Sequence, residues 1–241
     1  MPELADDQAH PADVPSFSAS LRTGEVALIA EIKRSSPSRG SINPDLRADA
    51  QAAAYRDGGA AAISVLTEPS RFGGNIFDVS AAAKASDLPI LRKDFIVTPS
   101  QLTEARKCGA SAALIIVRAI DPDRLVSLRE HADGIGLEIL FEVRNERELE
   151  HALTAGAQII GVNNRNLETL EIDETTVERV LPLIPRDRIA VAESGYTSRA
   201  MVERAAAAGA DAVLIGSSLS ASSEPTTAVR NLTGIRKSSR D

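Results

Sequence analysis

The sequence predicts an α/β chain folded as one (β/α)8 TIM barrel with a short N-terminal extension, and three observations predict it. First, eight short apolar runs fall at about 26–32, 60–66, 88–92, 111–117, 136–141, 157–162, 188–192 and 211–215, each followed by a longer stretch of helical composition. Second, Gly59-Ala60, Gly109-Ala110, Gly156-Ala157 and Gly209-Ala210 recur about fifty residues apart, each closing an Ala-rich helix and opening an even-numbered run. Third, the third, fifth and seventh runs are introduced differently, by Asp87-Leu88-Pro89, Asp133-Gly134-Ile135 and Asp187-Arg188-Ile189. Two alternating kinds of unit suit a closed parallel barrel, in which alternate strands fill alternate interior layers. An open doubly wound sheet would show no such alternation and would usually carry a Gly-x-Gly-x-x-Gly turn, which is absent.

Bulk properties narrow the function. The 241 residues are 43% apolar, enough for a large core, and 34 acidic against 27 basic residues give a net charge of -7. Without a long basic run, nucleic acid is not an expected partner. Cys108 is the single cysteine, so no disulfide framework or thiolate metal cluster is expected, and a reducing compartment suits the chain. His10, His131 and His151 lie outside the apolar runs, which argues against a histidine metal site or triad. No apolar stretch approaches ~20 residues and the N-terminus lacks the pattern of a signal peptide. The expectation is a cytoplasmic monomer bound to no membrane.

In chain order, residues 1–16 read as an acidic, Pro- and Ala-containing tail, and Phe17–Leu21 as a short helix leading into the first strand. The barrel is expected over 17–236, with the polar residues 237–241 as a second tail. Val26–Ala30 is a strand buried on both faces that ends in charge. Side chains alternate along a strand, so Glu31 and Lys33 share a face and Ile32 takes the other. Ser35-Ser36-Pro37-Ser38-Arg39-Gly40 cannot continue the strand and reads as a hydroxyl-rich loop. A helix is expected from an acidic cap at Asp45 to Tyr55, and another over 145–153 behind an Asn145 cap.

Barrel chemistry sits where strands end, because the loops there vary without disturbing the core. The first strand ends in Glu31 and Lys33, the third in Lys93, the fifth in Glu142 and the seventh in Glu193; Asn163 ends the sixth. A mixed cluster of carboxylates and ammoniums at one mouth offers general acids and bases together, as proton transfer at a carbonyl or imine requires. The plain alternative is a structural ring of ion pairs. Ser194-Gly195 after the seventh strand and Gly216-Ser217 after the eighth are where barrels commonly cradle phosphate, and Ser36 stands near the same mouth. A phosphorylated small molecule is therefore the expected ligand.

The runs Ala30–Gly40, Leu91–Val97, Gly161–Leu167 and Ala192–Gly195 closely resemble those of the indole-3-glycerol phosphate synthase family, in order and over about residues 17–220. That resemblance implies a carboxy-lyase of tryptophan biosynthesis. Its substrate, 1-(2-carboxyphenylamino)-1-deoxyribulose 5-phosphate, closes a ring, loses CO2 and loses water, with no metal or organic cofactor. By the same resemblance Lys93 is the acid of ring closure, Glu142 is that acid or its support, Lys33 assists dehydration and touches the phosphate, and Glu31 is the matching base. Asn163 and Glu193 would position anilino and hydroxyl groups, and Arg165 would lie nearby. Ser36, Ser194, Gly195, Gly216 and Ser217 would hold the phosphate, and Phe72, Phe95, Leu114 and Leu167 would wall the aromatic pocket. The stretch before Ala30 is shorter than in the family, so helices lying over the mouth would be reduced to Phe17–Leu21, and Asn75 stands where the family often has serine.

Two other readings compete. A Schiff-base sugar-phosphate aldolase would use a desolvated Lys33 or Lys93 as nucleophile, but each lysine is expected to face carboxylates that keep it protonated. A non-catalytic phosphate-ligand barrel would keep the Gly and Ser cradle and dispense with the acids, which are present.

Overall fold

The computed structural model describes residues 14–238 and residue 240; of the tail expected over residues 1–16, residues 1–13 lie outside them. Eight parallel strands form a closed barrel: β1 (Ala27–Ile32), β2 (Ala62–Leu66), β3 (Ile90–Lys93), β4 (Ala112–Ile116), β5 (Glu138–Val143), β6 (Ile159–Asn163), β7 (Ile189–Glu193) and β8 (Ala212–Ile215). Each pairs with the next in sequence and β8 returns to β1. β3, β5, β6 and β7 run one or two residues past the predicted apolar runs, because backbone pairing continues through their polar ends, as at Leu66–Lys93 and Asn163–Glu193.

Helices surround the barrel: α1 (Phe17–Leu21), α2 (Ala48–Gly58), α3 (Pro69–Phe72), α4 (Phe77–Ser86), α5 (Pro99–Lys107), α6 (Pro122–Gly134), α7 (Glu146–Thr154), α8 (Thr175–Val180), α9 (Arg199–Ala207), α10 (Ser217–Ser220) and α11 (Pro225–Arg230). None of the described helices is long and apolar enough to cross a membrane. The strand pleat divides the core in two. Outward residues such as Leu28, Ile63, Ile115 and Phe141 pack against helices, while Ile29, Leu91, Leu114, Leu140, Val191 and Leu214 fill the barrel interior. The repeated Gly59, Gly109, Gly156 and Gly209 all take left-handed backbone, φ +81 to +94, which ends a helix and turns the chain into the next strand.

Two expectations are corrected. The helix expected from Asp45 begins at Ala48 after Arg47, and Asp45 lies instead in the Asn43–Leu46 turn, closed by a 3.2 Å backbone bond. The Asn145 cap is present and accepts the Glu148 N–H at 2.9 Å. The second correction concerns α1, which does not lie over the mouth. Phe17 and Leu21 join the interior cluster, and the Glu138 carboxylate, at the first residue of β5, accepts the Phe17 N–H at 2.7 Å and the Ser18 N–H at 3.0 Å. A helix start offers free N–H groups to an anion, so α1 seals the end where strands begin, opposite the mouth. The polar C-terminal stretch is fastened at the same end: Lys237 Nζ donates to Leu21 O, and Arg240 donates to Gly209 O and Asp211.

Candidate active site

Following strand register around the barrel places Glu31 of β1, Lys93 of β3, Glu142 of β5 and Glu193 of β7 at one level, one residue from each odd strand. Leu66, Ile116, Asn163 and Gly216 form the level above them, and Ser64, Leu114, Gly161 and Leu214 the level below. The charged layer is therefore enclosed between a level of buried side chains below and the buried Leu66, Ile116 and Asn163 at the mouth. Lys33 projects above Glu31 from just beyond β1, and its Nζ lies 2.6 Å from Glu31 Oε1.

Lys93 Nζ stands 3.5 Å from Glu142 Oε2 and 3.9 Å from Glu193 Oε2. Burial alone would lower the Lys93 pKa, but Glu142, Glu193 and Glu31 reverse this and hold the ammonium above the ordinary lysine range. Burial, then the charge of Glu142, push the Glu193 carboxyl up to about 8 against the pull of Lys93. With Glu193 neutral, the two ammoniums and the carboxylates of Glu31 and Glu142 offset one another. Asp94, next to Lys93 in sequence, turns away and pairs with Arg92 at 3.1 Å and Thr67 at 2.5 Å.

The tip of β1 is held from outside the barrel. Ser220 Oγ of α10 donates to Glu31 O at 2.9 Å and accepts the Lys33 N–H at 3.1 Å, and Tyr55 Oη of α2 also donates to Glu31 O. Arg34 grips both carboxylate oxygens of Asp78 and donates to Leu46 O, which anchors the loop that follows.

Above the layer opens a cleft of about 230 Å³, lined by Glu31, Lys33, Lys93, Asn163 and Glu193 together with Ser36, Phe72, Phe95, Arg165, Leu167, Ser194, Gly195, Gly216 and Ser217. Two predicted site residues lie elsewhere. Glu142 is buried beside Lys93 and does not line the cleft, and Leu114 is a packed interior residue beneath the charges, a floor and not a wall. Phe72 and Phe95 are a tilted aromatic pair with centroids 6.3 Å apart, and Phe95 is half exposed. Asn75 does not line the cleft; its side chain accepts the Phe77 N–H at the start of α4. The lysines are ion-paired, as the argument against an aldolase expected.

Ser194 and Gly195 both have left-handed backbone, φ +67 and +95, a conformation rare for serine, and Asn164 Nδ2 donates to Ser194 O. Gly216 has a more specific reason to lack a side chain: a Cβ there would stand 2.1 Å from Glu31 Oε1 and 2.9 Å from Lys33 Nζ. Several cleft residues escaped the sequence reading, notably Arg39, Arg71 and Ile172. Burial, then the charge of Arg39, lower the Arg165 pKa, so two guanidiniums face one cleft, a setting that favours an anion. Arg39 lay within the Ser-rich loop already singled out; its distance in sequence from Arg165 hid the pairing.

Comparison with known proteins finds both sequence relatives and fold neighbours. The family model described as indole-3-glycerol phosphate synthase matches residues 1–232. An indole-3-glycerol phosphate synthase of Streptomyces griseus is 50% identical over 230 residues, covering 95% of this chain and 86% of that one. Indole-3-glycerol phosphate synthase 1 of Streptomyces coelicolor is 48% identical over the same shares of the two chains. Among solved structures, a thiamine phosphate pyrophosphorylase from Pyrococcus furiosus superposes with TM-score 0.66 at 14% identity, over 87% of this chain and 94% of that one. A mandelate oxidase with (S)-2-phenylpropionate gives 0.65 at 17%, over 87% and 73%. Those two likenesses concern the barrel alone.

Proposed function

The chain belongs to the indole-3-glycerol phosphate synthase family, carboxy-lyases of tryptophan biosynthesis acting on a phosphorylated substrate, and from that premise we propose how its own residues divide the reaction. The observation that carries the proposal is the charged layer, with Lys93 at its centre and the cleft directly above.

Lys93 donates a proton to the ketose carbonyl of 1-(2-carboxyphenylamino)-1-deoxyribulose 5-phosphate as the substituted ring carbon attacks it. The buried carboxylates beside Lys93 keep it protonated until negative charge develops on that oxygen. The new carbon–carbon bond draws electrons from the ring. Loss of the carboxylate as neutral CO2 returns an electron pair, and the apolar walls of Phe72, Phe95 and Leu167 favour that discharge. Lys33 then protonates the departing hydroxyl while Glu31 takes the ring proton, and water leaves. Every step balances with proton transfers, so the set needs no carrier group.

Asn163 and Glu193 orient the anilino and hydroxyl groups. Ser36, Ser194, Gly195, Gly216 and Ser217 receive the phosphate, with Arg165 and Arg39 adding positive charge at the cleft. All these residues come from one barrel, which suits a monomer, and the lone Cys108 suits the cytoplasm. The test is indole fluorescence developing when the purified chain meets the carboxyphenylamino sugar phosphate. Absence of that product, with lysine trapped by borohydride instead, would favour the aldolase reading.

A further inference from the structure

Gly161 lies one level below the charged layer, and the Glu193 carboxyl rests on it. A Cβ at Gly161 would stand 2.0 Å from Glu193 Oε1 and 3.1 Å from Glu193 Cδ, with Leu140 Cδ1 next at 3.4 Å. The backbone there is not left-handed, so an L side chain is excluded by the carboxyl and not by strain. The other members of that level, Ser64, Leu114 and Leu214, send side chains into the interior, and the missing one leaves a notch. Glu193 Oε1 is buried and has no hydrogen-bond partner, while the other oxygen, Oε2, stands 3.9 Å from Lys93, with Glu142 beside the carboxyl.

We propose that Gly161 is a positioning residue for the reaction, its absent side chain seating the Glu193 carboxyl level with Lys93 and Glu142. A methyl group at 161 drives that carboxyl upward, toward the cleft and against the ammonium that must face the substrate. The inference rests on the roles assigned to Glu193 and Lys93 under the proposed function. It predicts size complementation. Shortening Glu193 by one methylene makes room for the methyl, so Glu193→Asp, harmful in the parent, is beneficial beside Gly161→Ala.

The experiment is a cycle of parent, Gly161→Ala, Glu193→Asp and the double variant, followed by kcat, KM, the pH profile and the melting temperature. Gly161→Ala is expected to lower kcat by about a hundredfold, the loss typical of misplacing a reacting group by an ångström, with a much smaller change in KM. Its alkaline limb should move from near pH 8 toward the ordinary carboxylate range as the carboxyl leaves its buried seat. The double variant should recover about tenfold over Gly161→Ala, a coupling expected of groups in direct contact. A double variant no better than the product of its two single losses would overturn the proposal, as would parental kcat in Gly161→Ala. If Gly161→Ala fails to fold, the same cycle is read in melting temperature, where failure of Glu193→Asp to restore folding overturns it. A parent that makes no indole product would defeat the proposed function instead.

Discussion

Lys93 meets its nearest carboxylate, Glu142, at 3.5 Å, whereas Lys33 meets Glu31 at 2.6 Å. The two lysines are thus committed to different degrees. Lys33 and Glu31 form a tight pair suited to moving protons in opposite directions at one substrate centre. Lys93 is held more loosely among buried carboxylates and keeps N–H groups for the cleft.

That division predicts different blocks. Lys33→Met removes the proton while keeping the alkyl stem, and should slow dehydration by about a hundredfold while sparing ring closure, so a cyclised, undehydrated intermediate accumulates. Quenched single-turnover reactions separated by chromatography would reveal it. Accumulation of uncyclised substrate in this variant would contradict the assignment.

The Glu193 carboxyl, raised to about 8, supplies a pH signature. It is neutral below that value, and its ionisation adds a negative charge to the layer that an anionic substrate must approach. kcat/KM should therefore fall above about pH 8, with the limb belonging to the coupled cluster, and Glu193→Gln should remove it. Stability responds to the same titration in the same direction. The unfolded chain releases this proton near the ordinary glutamate value of 4.5, so the folded state loses relative stability as pH rises from there to about 8. Melting curves of parent and Glu193→Gln should diverge across that window; parallel curves would contradict the raised pKa.

Gly216→Ala tests whether this glycine serves only the phosphate. Its new methyl would displace Glu31 and Lys33, so kcat should drop by about tenfold or more in addition to any loss of affinity, with the fold retained. Weakened substrate binding at parental kcat would show that the glycine serves the anion alone.

Much of the barrel was legible because its determinants are local. Apolar runs, the Gly-Ala repeat and the polar strand ends all lie within a few residues of the feature they specify. Alternation of side chains was enough to place Glu31 and Lys33 on one face. Level within the barrel was not legible, since it depends on register accumulated across several strands. Thus Leu114 points inward as expected yet lies under the charges, and Glu142 stands beside Lys93 without lining the cleft. Nor did Phe17–Leu21 reveal which end it seals, because its anchor, Glu138, is more than a hundred residues away. The notches at Gly161 and Gly216 exist only once a neighbouring strand's carboxyl is in place.

At the sealed end, Asp211 accepts the Ala190 N–H at 2.9 Å and pairs with Arg240 and Lys237. Burial raises its pKa, but the Ala190 N–H and Arg240 outweigh burial and leave it below the ordinary value. Its contribution is therefore present at neutral pH and is lost as pH falls through the lowered folded value. Asp211→Asn should cost about 1–3 kcal/mol in urea unfolding at pH 7, with turnover unchanged. Parental stability would show that the C-terminal stretch adds nothing to the barrel.

The central claim is that Lys93 supplies the proton for ring closure, and Lys93→Met tests it most directly. Single-turnover reactions of this variant with the carboxyphenylamino sugar phosphate, monitored by indole fluorescence and by separation of quenched species, should show ring closure slowed by about a hundredfold or more, with uncyclised substrate accumulating and the fold intact. Ring closure at the parental rate would contradict the claim and transfer the acid role to Glu142.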